Sequence, residues 1–521
     1  MRSTGASKWW AMGAVMLAVL AVGLDATVLS VALPTLAAKL HATESDLQWF
    51  SSGYLLVLAA AMLPAGLLGD RYGRKKVMAG ALLLFALASA GCALSRTPGE
   101  FITARLVLGL AGAPLIVMAI SALAVLFSEA ERPRAIGIWA AVNFVALPIG
   151  PIVGGWLLTH AWWGWVFLMN VPVALVGLVA VLILVPETRA SVRPRIDLVG
   201  IVASSGGLVS LTYGFISAGE SGWGSLSAIA PMVAGVAVLV AFVLWELALG
   251  RRPEGQPLID LNLFRSRNFT WGLALITLAG VTMVGALFTL PQYFQGIAGA
   301  SPMASGLRLL PMIGGLVVTA VPGAQVVKWL GPKATTAIGF ALLGTGLLVG
   351  STTGVASSVG FVAVWMALLG LGIGLVFVPT ASAAIGQLSA ERSGVTGGVF
   401  QAVQKTGAPF GAAIFGSIVT TGYLAGLHLT DLPPAAATTV RGSLFGGIAV
   451  SHQLGSTTLL RIVETAFVHG MSTALMVSAG LAAAGVLLAL AFMPIRSPAT
   501  GPAEADRATV PSPGTSAARA H

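Results

Sequence analysis

The sequence predicts an all-α integral membrane protein of fourteen transmembrane helices, built as two parallel six-helix halves plus an inserted helix pair, with both termini cytoplasmic. Three observations carry that prediction: composition, the spacing of apolar runs, and the placement of basic residues. Of 521 residues 56% are hydrophobic and 9% charged, with a mean hydropathy of +0.92, against about 25% charged in a soluble domain. A water-facing surface needs far more charge than this, so the solvent is lipid. The single cysteine, Cys92, lies in an apolar run, which excludes an internal disulfide.

A spanning helix needs about 20 mostly apolar residues. Runs of that kind occupy 10–36, 48–68, 77–95, 100–127, 135–158, 164–186 and 196–217. Seven more occupy 225–248, 268–293, 304–327, 334–351, 358–383, 396–423 and 468–494. The first run follows Arg2 and Lys8, yet it reads as a span and not a secretory leader. It is much longer than a signal core, lacks a small-residue cleavage site, and leads through Lys39, His41, Glu44 and Asp46 straight into the second span.

The net charge of +10 would point to nucleic acid in a soluble protein, but here the excess is sorted by loop. With the N-terminus cytoplasmic, the inside segments hold 21 Lys and Arg, and the outside segments hold Lys39, Arg96, Arg441 and Arg461. Such a bias sets both termini inside and favours fourteen spans over thirteen. It expects membrane lipids as neighbours and no nucleic acid.

An internal repeat divides the chain. Pro64, Gly73 and Lys75 recur 258 residues later as Pro322, Gly331 and Lys333, and Glu131-Arg132 recurs as Glu391-Arg392. The domain reading is therefore an N-terminal half at 1–190, an inserted pair with a cytoplasmic linker at 191–267, and a C-terminal half at 268–495. The last half contains an external hairpin at 424–467. Residues 496–521, rich in Ala, Pro, Ser and Thr, read as a disordered cytoplasmic tail. Parallel repeats imply a site between the halves, near mid-membrane, reached alternately from each side.

Three constellations carry chemistry. In Gly66-Leu67-Leu68-Gly69-Asp70-Arg71-Tyr72-Gly73-Arg74-Lys75-Lys76, Gly73 permits a tight turn, and Asp70 among Arg71, Arg74 and Lys75 offers ion pairs that one arrangement of the halves makes and another breaks. A lipid anchor is the plainer account of the same charges; the interspersed acid and glycines favour a gate. In the fifth span Gly137, Gly150, Pro151, Gly154 and Gly155 soften the helix. Pro151 deletes a backbone hydrogen bond, and Gly150 and Gly154 lie on one face where another backbone can approach. The third constellation is Asp25, within Leu24 to Pro34 of the first span. An ionised carboxyl at that depth costs roughly 2.5 to 3.5 kcal/mol, so it reads as a lone titrating group that loads and unloads a proton. A permanent pair with Arg105, the deep cation of the N-terminal half, is the alternative. Arg308 and Lys405 either snorkel or line a cavity.

Together these motifs resemble the major facilitator superfamily, and within it the fourteen-helix drug:proton antiporters that export quaternary ammonium compounds and antibiotics. The resemblance covers about 10–495. It implies Asp25 and Arg105 in proton coupling, Gly66, Asp70, Arg71, Gly73, Arg74 and Lys75 in a cytoplasmic gate, and the fifth-span glycines in antiport. The chain departs from the pattern at Ala146, Leu108 and Gly164. Dication exporters of that family carry acids in later helices, where this chain has Arg308 and Lys405, which counts against dications as cargo. By position, Tyr54, Asn143, Phe144, Phe288, Gln292, Tyr293, Phe377, Gln401 and Gln404 are expected to line the substrate cavity, and aromatic faces suit planar or cationic lipophilic molecules.

The function expected is proton-coupled export of lipophilic drugs or antibiotics across a bacterial inner membrane, by alternating access, without cofactor or metal. A potential of 100 mV is worth about 2.3 kcal/mol per charge, enough for roughly fifty-fold expulsion. A facilitative or proton-coupled transporter of another small metabolite would share the fold. The fifth-span motif, with no evident sugar- or anion-binding cluster, disfavours it. An enzyme is disfavoured too: His41, His160, His428, His452, His469 and His521 form no metal or triad spacing.

Overall fold

The computed structural model describes residues 5–127, 131–188, 197–252, 257–259, 261–385, 393–429 and 432–495. Among them no strand occurs. The N-terminal helices are α1 (Gly5–Leu40), α2 (Glu44–Tyr72), α3 (Arg74–Leu94), α4 (Pro98–Leu126), α5 (Arg132–His160), α6 (Trp165–Leu168) and α7 (Asn170–Leu184). Then come α8 (Leu198–Ser221) and α9 (Leu226–Gly250). The remainder is α10 (Arg267–Gln292), continued by a π-turn, α11 (Pro302–Arg308), α12 (Leu310–Ala320), α13 (Gly323–Gly350), α14 (Val359–Ile385), α15 (Ser393–Gly426), α16 (Pro434–Gly442), α17 (Leu444–Gln453) and α18 (Thr457–Phe492). Twelve helical segments among the described residues are long and apolar enough to cross a membrane. The bent α2, broken by 48° between Met62 and Pro64, makes a thirteenth.

Local chemistry explains the boundaries. Thr43 caps α2 by accepting from the Asp46 amide, while the Asp46 carboxylate accepts from the Thr43 amide at 2.9 Å, a reciprocal capping box. Pro64 removes a helical hydrogen bond where α2 bends. The span expected at 304–327 is broken at Leu309 and ends at Ala320, before Pro322. Within the stretch expected as an external hairpin, 424–467, α15 runs to Gly426 and α18 starts at Thr457. Ser456 caps α18 through the Leu459 amide, and Val463, Ala466 and Phe467 turn inward while Arg461 and Thr465 are exposed and Glu464 is half-buried, so this polar-looking stretch is amphipathic helix. Between the two long helices, α16 and α17 form a small helical hairpin.

Two large apolar clusters organise the packing. One contains Leu29, Phe50, Phe85, Phe101 and Phe167 from α1 to α6; the other contains Phe340, Trp365, Phe415 and Phe467 from α13 to α18. Phe288 of α10 and Ala412 of α15 join the first cluster, and Val31 of α1 joins the second, so the seam runs along those helices. The α8–α9 pair meets through Gly207 and Gly235, each set against the other's carbonyl. Gly219 brings α8 against Ser417 of α15. Leu226, Val233 and Leu244 of α9 point outward, as a lipid-facing helix requires.

Candidate functional site

Asp25 is paired. Its Oδ2 accepts from Arg105 Nη1 at 2.6 Å and its Oδ1 from Asn170 Nδ2 at 3.2 Å. Arg105 also donates from Nε to the Phe50 carbonyl at 3.1 Å and lies over the Tyr54 ring, 4.2 Å from its centroid. Asp25, Arg105, Asn170 and Tyr54 are all at most 1% exposed. The lone carboxyl expected from sequence is thus corrected to a knot joining α1, α2, α4 and α7. The reason is energetic: a buried ion is tolerated only when paired and hydrogen-bonded. Asn170 is absent from the sequence expectations. Its signal was available, since it is the one amide in the apolar stretch 165–184.

The glycine face of α5 packs on α1 at this same level. A Cβ on Gly150 would run into the Thr27 hydroxyl, and one on Gly154 into Val28. Thr27 Oγ1 reaches the carbonyls of Gly23 at 3.0 Å and Ala146 at 3.3 Å. On its other side α5 meets α11: a Cβ on Gly155 would stand 2.7 Å from Met303 Cα, and Gly306 lies against the Pro151 carbonyl. The motif helix therefore touches both the Asp25 turn and the opposite half. Gly137 lies on α5, but its surroundings fall outside the described residues.

In the predicted gate, Asp70 bonds Arg74, with Nη2 at 2.8 Å and Nε at 3.1 Å. Gly73 separates α2 from α3 with φ of 111°, and a Cβ there would strike the Glu187 carboxylate. Glu187 also accepts from the Lys75 amide at 3.2 Å, and the Arg74 amide donates to the Thr188 carbonyl. Of the cations offered to Asp70, Arg74 takes it, while Arg71 lies over the Tyr72 ring. Gly66 sits beside Val117 of α4, and Leu67 packs on the apolar cluster around Phe269 of α10. The repeat-related Gly331 likewise has positive φ, 78°, and abuts the Ile495 carbonyl. Each glycine thus meets the chain leaving the last long helix of its own bundle. Of the second repeat pair, residues 391–392 lie outside the described residues.

On the opposite face the bundles interlock. Gln292 Nε2 donates to Glu44 at 3.2 Å, Gln48 Nε2 to Thr420 at 3.2 Å, and Gln295 Nε2 to the Val31 carbonyl at 3.0 Å. The α16–α17 hairpin is tied there by Tyr423, whose hydroxyl donates to the Val440 carbonyl at 2.7 Å. Several of the residues expected to line the cavity make definite contacts in this structure. Gln292 belongs to the interlock, Tyr293 donates to the Gly354 carbonyl, and Phe288 is core. Tyr54 belongs to the Asp25 knot. Phe377 packs beside the cluster around Phe269. Gln404 is half-buried. The side chains of Asn143, Phe144 and Gln401 fall outside the described residues. Among those described, no group of three His, Cys, Asp or Glu is placed to hold a metal ion.

Comparison with known proteins decides the family. The profile described as Major Facilitator Superfamily matches residues 15–412. The chain belongs to the Major Facilitator Superfamily. This major facilitator is 33% identical over 494 residues to the tetracenomycin C resistance and export protein of Streptomyces glaucescens, covering 92% of this chain and 91% of that one. It is 30% identical to the multidrug efflux pump LfrA of Mycolicibacterium smegmatis, over 94% and 97% of the two chains. It is also 30% identical to a puromycin resistance protein of Streptomyces alboniger, over 90% and 92%. A bacterial homologue of the human lysosomal transporter Spinster, crystallised inward-facing and unoccupied, superposes with a TM-score of 0.68 at 14% identity, covering 94% and 98%. At that identity the likeness is one of major facilitator fold.

Proposed function

We propose that this major facilitator is a drug:proton antiporter that exports lipophilic drugs or antibiotics from a bacterial cytoplasm or inner leaflet. It works by alternating access, through fourteen spans with both termini cytoplasmic, driven by the proton gradient without a cofactor. The observation that carries this reading is the Asp25–Arg105–Asn170 knot seated against the glycine face of α5. The relatives named for resistance and export support it.

In this account a proton reaching Asp25 Oδ2 displaces Arg105 Nη1 from the carboxyl. Arg105 keeps its bond to the Phe50 carbonyl and its place over Tyr54, so the contact that loosens is between α1 and α4. Because α1 packs on Gly150 and Gly154, and α5 packs through Gly155 on α11, that loosening reaches the seam between the halves. Gly66, Asp70, Arg71, Gly73, Arg74 and Lys75 act at the cytoplasmic gate, and the bonds around Glu44 and Gln48 close the external one. Substrate binding with proton release favours one access state, and protonation favours the other.

The test is a pH-gradient assay in everted vesicles. Adding drug to wild-type vesicles is expected to dissipate an imposed gradient, and D25N at equal membrane abundance is expected not to respond. A D25N protein that still couples drug to proton movement would overturn the proposal.

A further inference from the structure

Lys405 lies on α15, half-buried. It has no ion pair and no hydrogen-bond partner among the described residues. Its direction follows from helix phase. Gly416 is eleven residues on, close to three turns, and a Cβ there would run into the Gln48 side chain of α2. Ala412, about two turns from Lys405, is fully buried in the N-terminal apolar cluster. Lys405 therefore continues the face that α15 turns toward the other half, roughly 16 Å along the helix from the Gly416 contact. Gln404 beside it is also half-buried and has no partner among the described residues.

The acids that could neutralise Lys405 are engaged elsewhere. Asp25 is held by Arg105 and Asn170, Glu44 by Gln292, and Asp70 by Arg74. Arg308 of α11 lies over the Phe294 ring, 5.7 Å from its centroid, with its Nη1 unpartnered among the described residues. Among the described residues Lys405 meets no anion, and an ammonium is a costly group in a membrane interior unless an anion meets it.

We propose that Lys405 is the recognition cation for an acidic group, carboxylate or phenolate, on an otherwise lipophilic cargo. The inference rests on the export reading and names the substrate class for it. An anionic substituent would gain a charge-assisted hydrogen bond in a water-poor setting, Gln404 offering an amide beside it, while an esterified analogue would leave the ammonium unmet.

The test uses purified full-length protein in lipid nanodiscs and a matched pair of probes, a polycyclic aromatic carboxylate and its methyl ester. Wild type is expected to bind the carboxylate at least about tenfold more tightly than the ester. K405M is expected to bring that ratio to about one, and K405R to retain most of it. A ratio near one in wild type, or a ratio that survives in K405M, would overturn the inference while leaving drug:proton exchange intact. Failure of wild type to bind either probe would overturn the inference, while the D25N vesicle assay decides the export reading separately. K405M replaces an unmet charge with an apolar side chain of similar length, so a melting curve in detergent separates loss of binding from loss of fold.

Discussion

Gly23 of α1 and Ala146 of α5 fit as a small-large pair: a Cβ on Gly23 would stand 2.9 Å from the Ala146 methyl. The antiporter motif resembled by α5 has glycine at the Ala146 position, so the room that motif reserves on α5 is supplied here from α1. G23A is expected to cost about 1–3 kcal/mol by overpacking and to depress transport, because the clash sits two residues from Asp25. G23A/A146G moves the methyl to the other helix and is expected to recover most of both. Melting temperature and vesicle transport of the two variants check this.

Asn170 orients Asp25 without being charged. N170A removes the donor to Oδ1, a hydrogen bond to a charged group worth about 1.5–3 kcal/mol. Drug-driven proton flux is expected to fall at least about tenfold at unchanged expression, and N170Q to restore little because its amide sits one methylene too far out. Normal flux in N170A would show that Arg105 alone positions the carboxyl.

Gly73 and Gly331 each hold a left-handed backbone conformation that a Cβ disfavours by about 1–2 kcal/mol. Gly331 also precedes Pro332, which narrows its freedom further. G73A must in addition displace Glu187, and G331A must displace the Ile495 carbonyl. Both variants are expected to melt lower in detergent than wild type, and E187A is expected to soften the effect of G73A by removing the atoms at the clash. Equal melting temperatures for wild type and G73A would contradict this account of the loop.

Gly155 and Gly306 bring α5 and α11 into backbone contact across the seam. G155V is expected to hold the halves apart on that face while each bundle keeps its fold. Thr420 is 5% exposed, and Cys92, the native thiol, is fully buried. A T420C reporter should therefore resist a membrane-impermeant maleimide in the wild-type background and react severalfold faster with G155V. Equal labelling rates would refute the closed face.

The parts of this molecule visible in its sequence are those where one residue is improbable in its surroundings. Asp25 and Arg105 stand out as ions in apolar runs, Gly150 and Gly154 as small residues one turn apart, and Gly73 as a glycine amid charges. Gly23, Glu187 and Gln48 carry no such signal, because their roles exist only once a distant helix arrives: Ala146 against Gly23, Gly73 against Glu187, Thr420 against Gln48. Phe288, Gln292 and Tyr293 are legible as large or polar residues of one apolar run, but residue type alone does not reveal their partners: Phe288 joins the N-terminal apolar cluster, Gln292 bonds Glu44 and Tyr293 bonds the Gly354 carbonyl. The α16–α17 hairpin illustrates another limit. A short apolar run reads as loop until its anchor, the Tyr423 hydroxyl, is known.

The most direct measurement is drug uptake into proteoliposomes of purified protein under an imposed pH difference, for wild type and D25N. Wild-type uptake is expected to rise with the gradient and collapse with a protonophore, and D25N to be flat across the same range. Wild-type flux indifferent to the gradient, or D25N flux that follows it, would contradict proton coupling through Asp25.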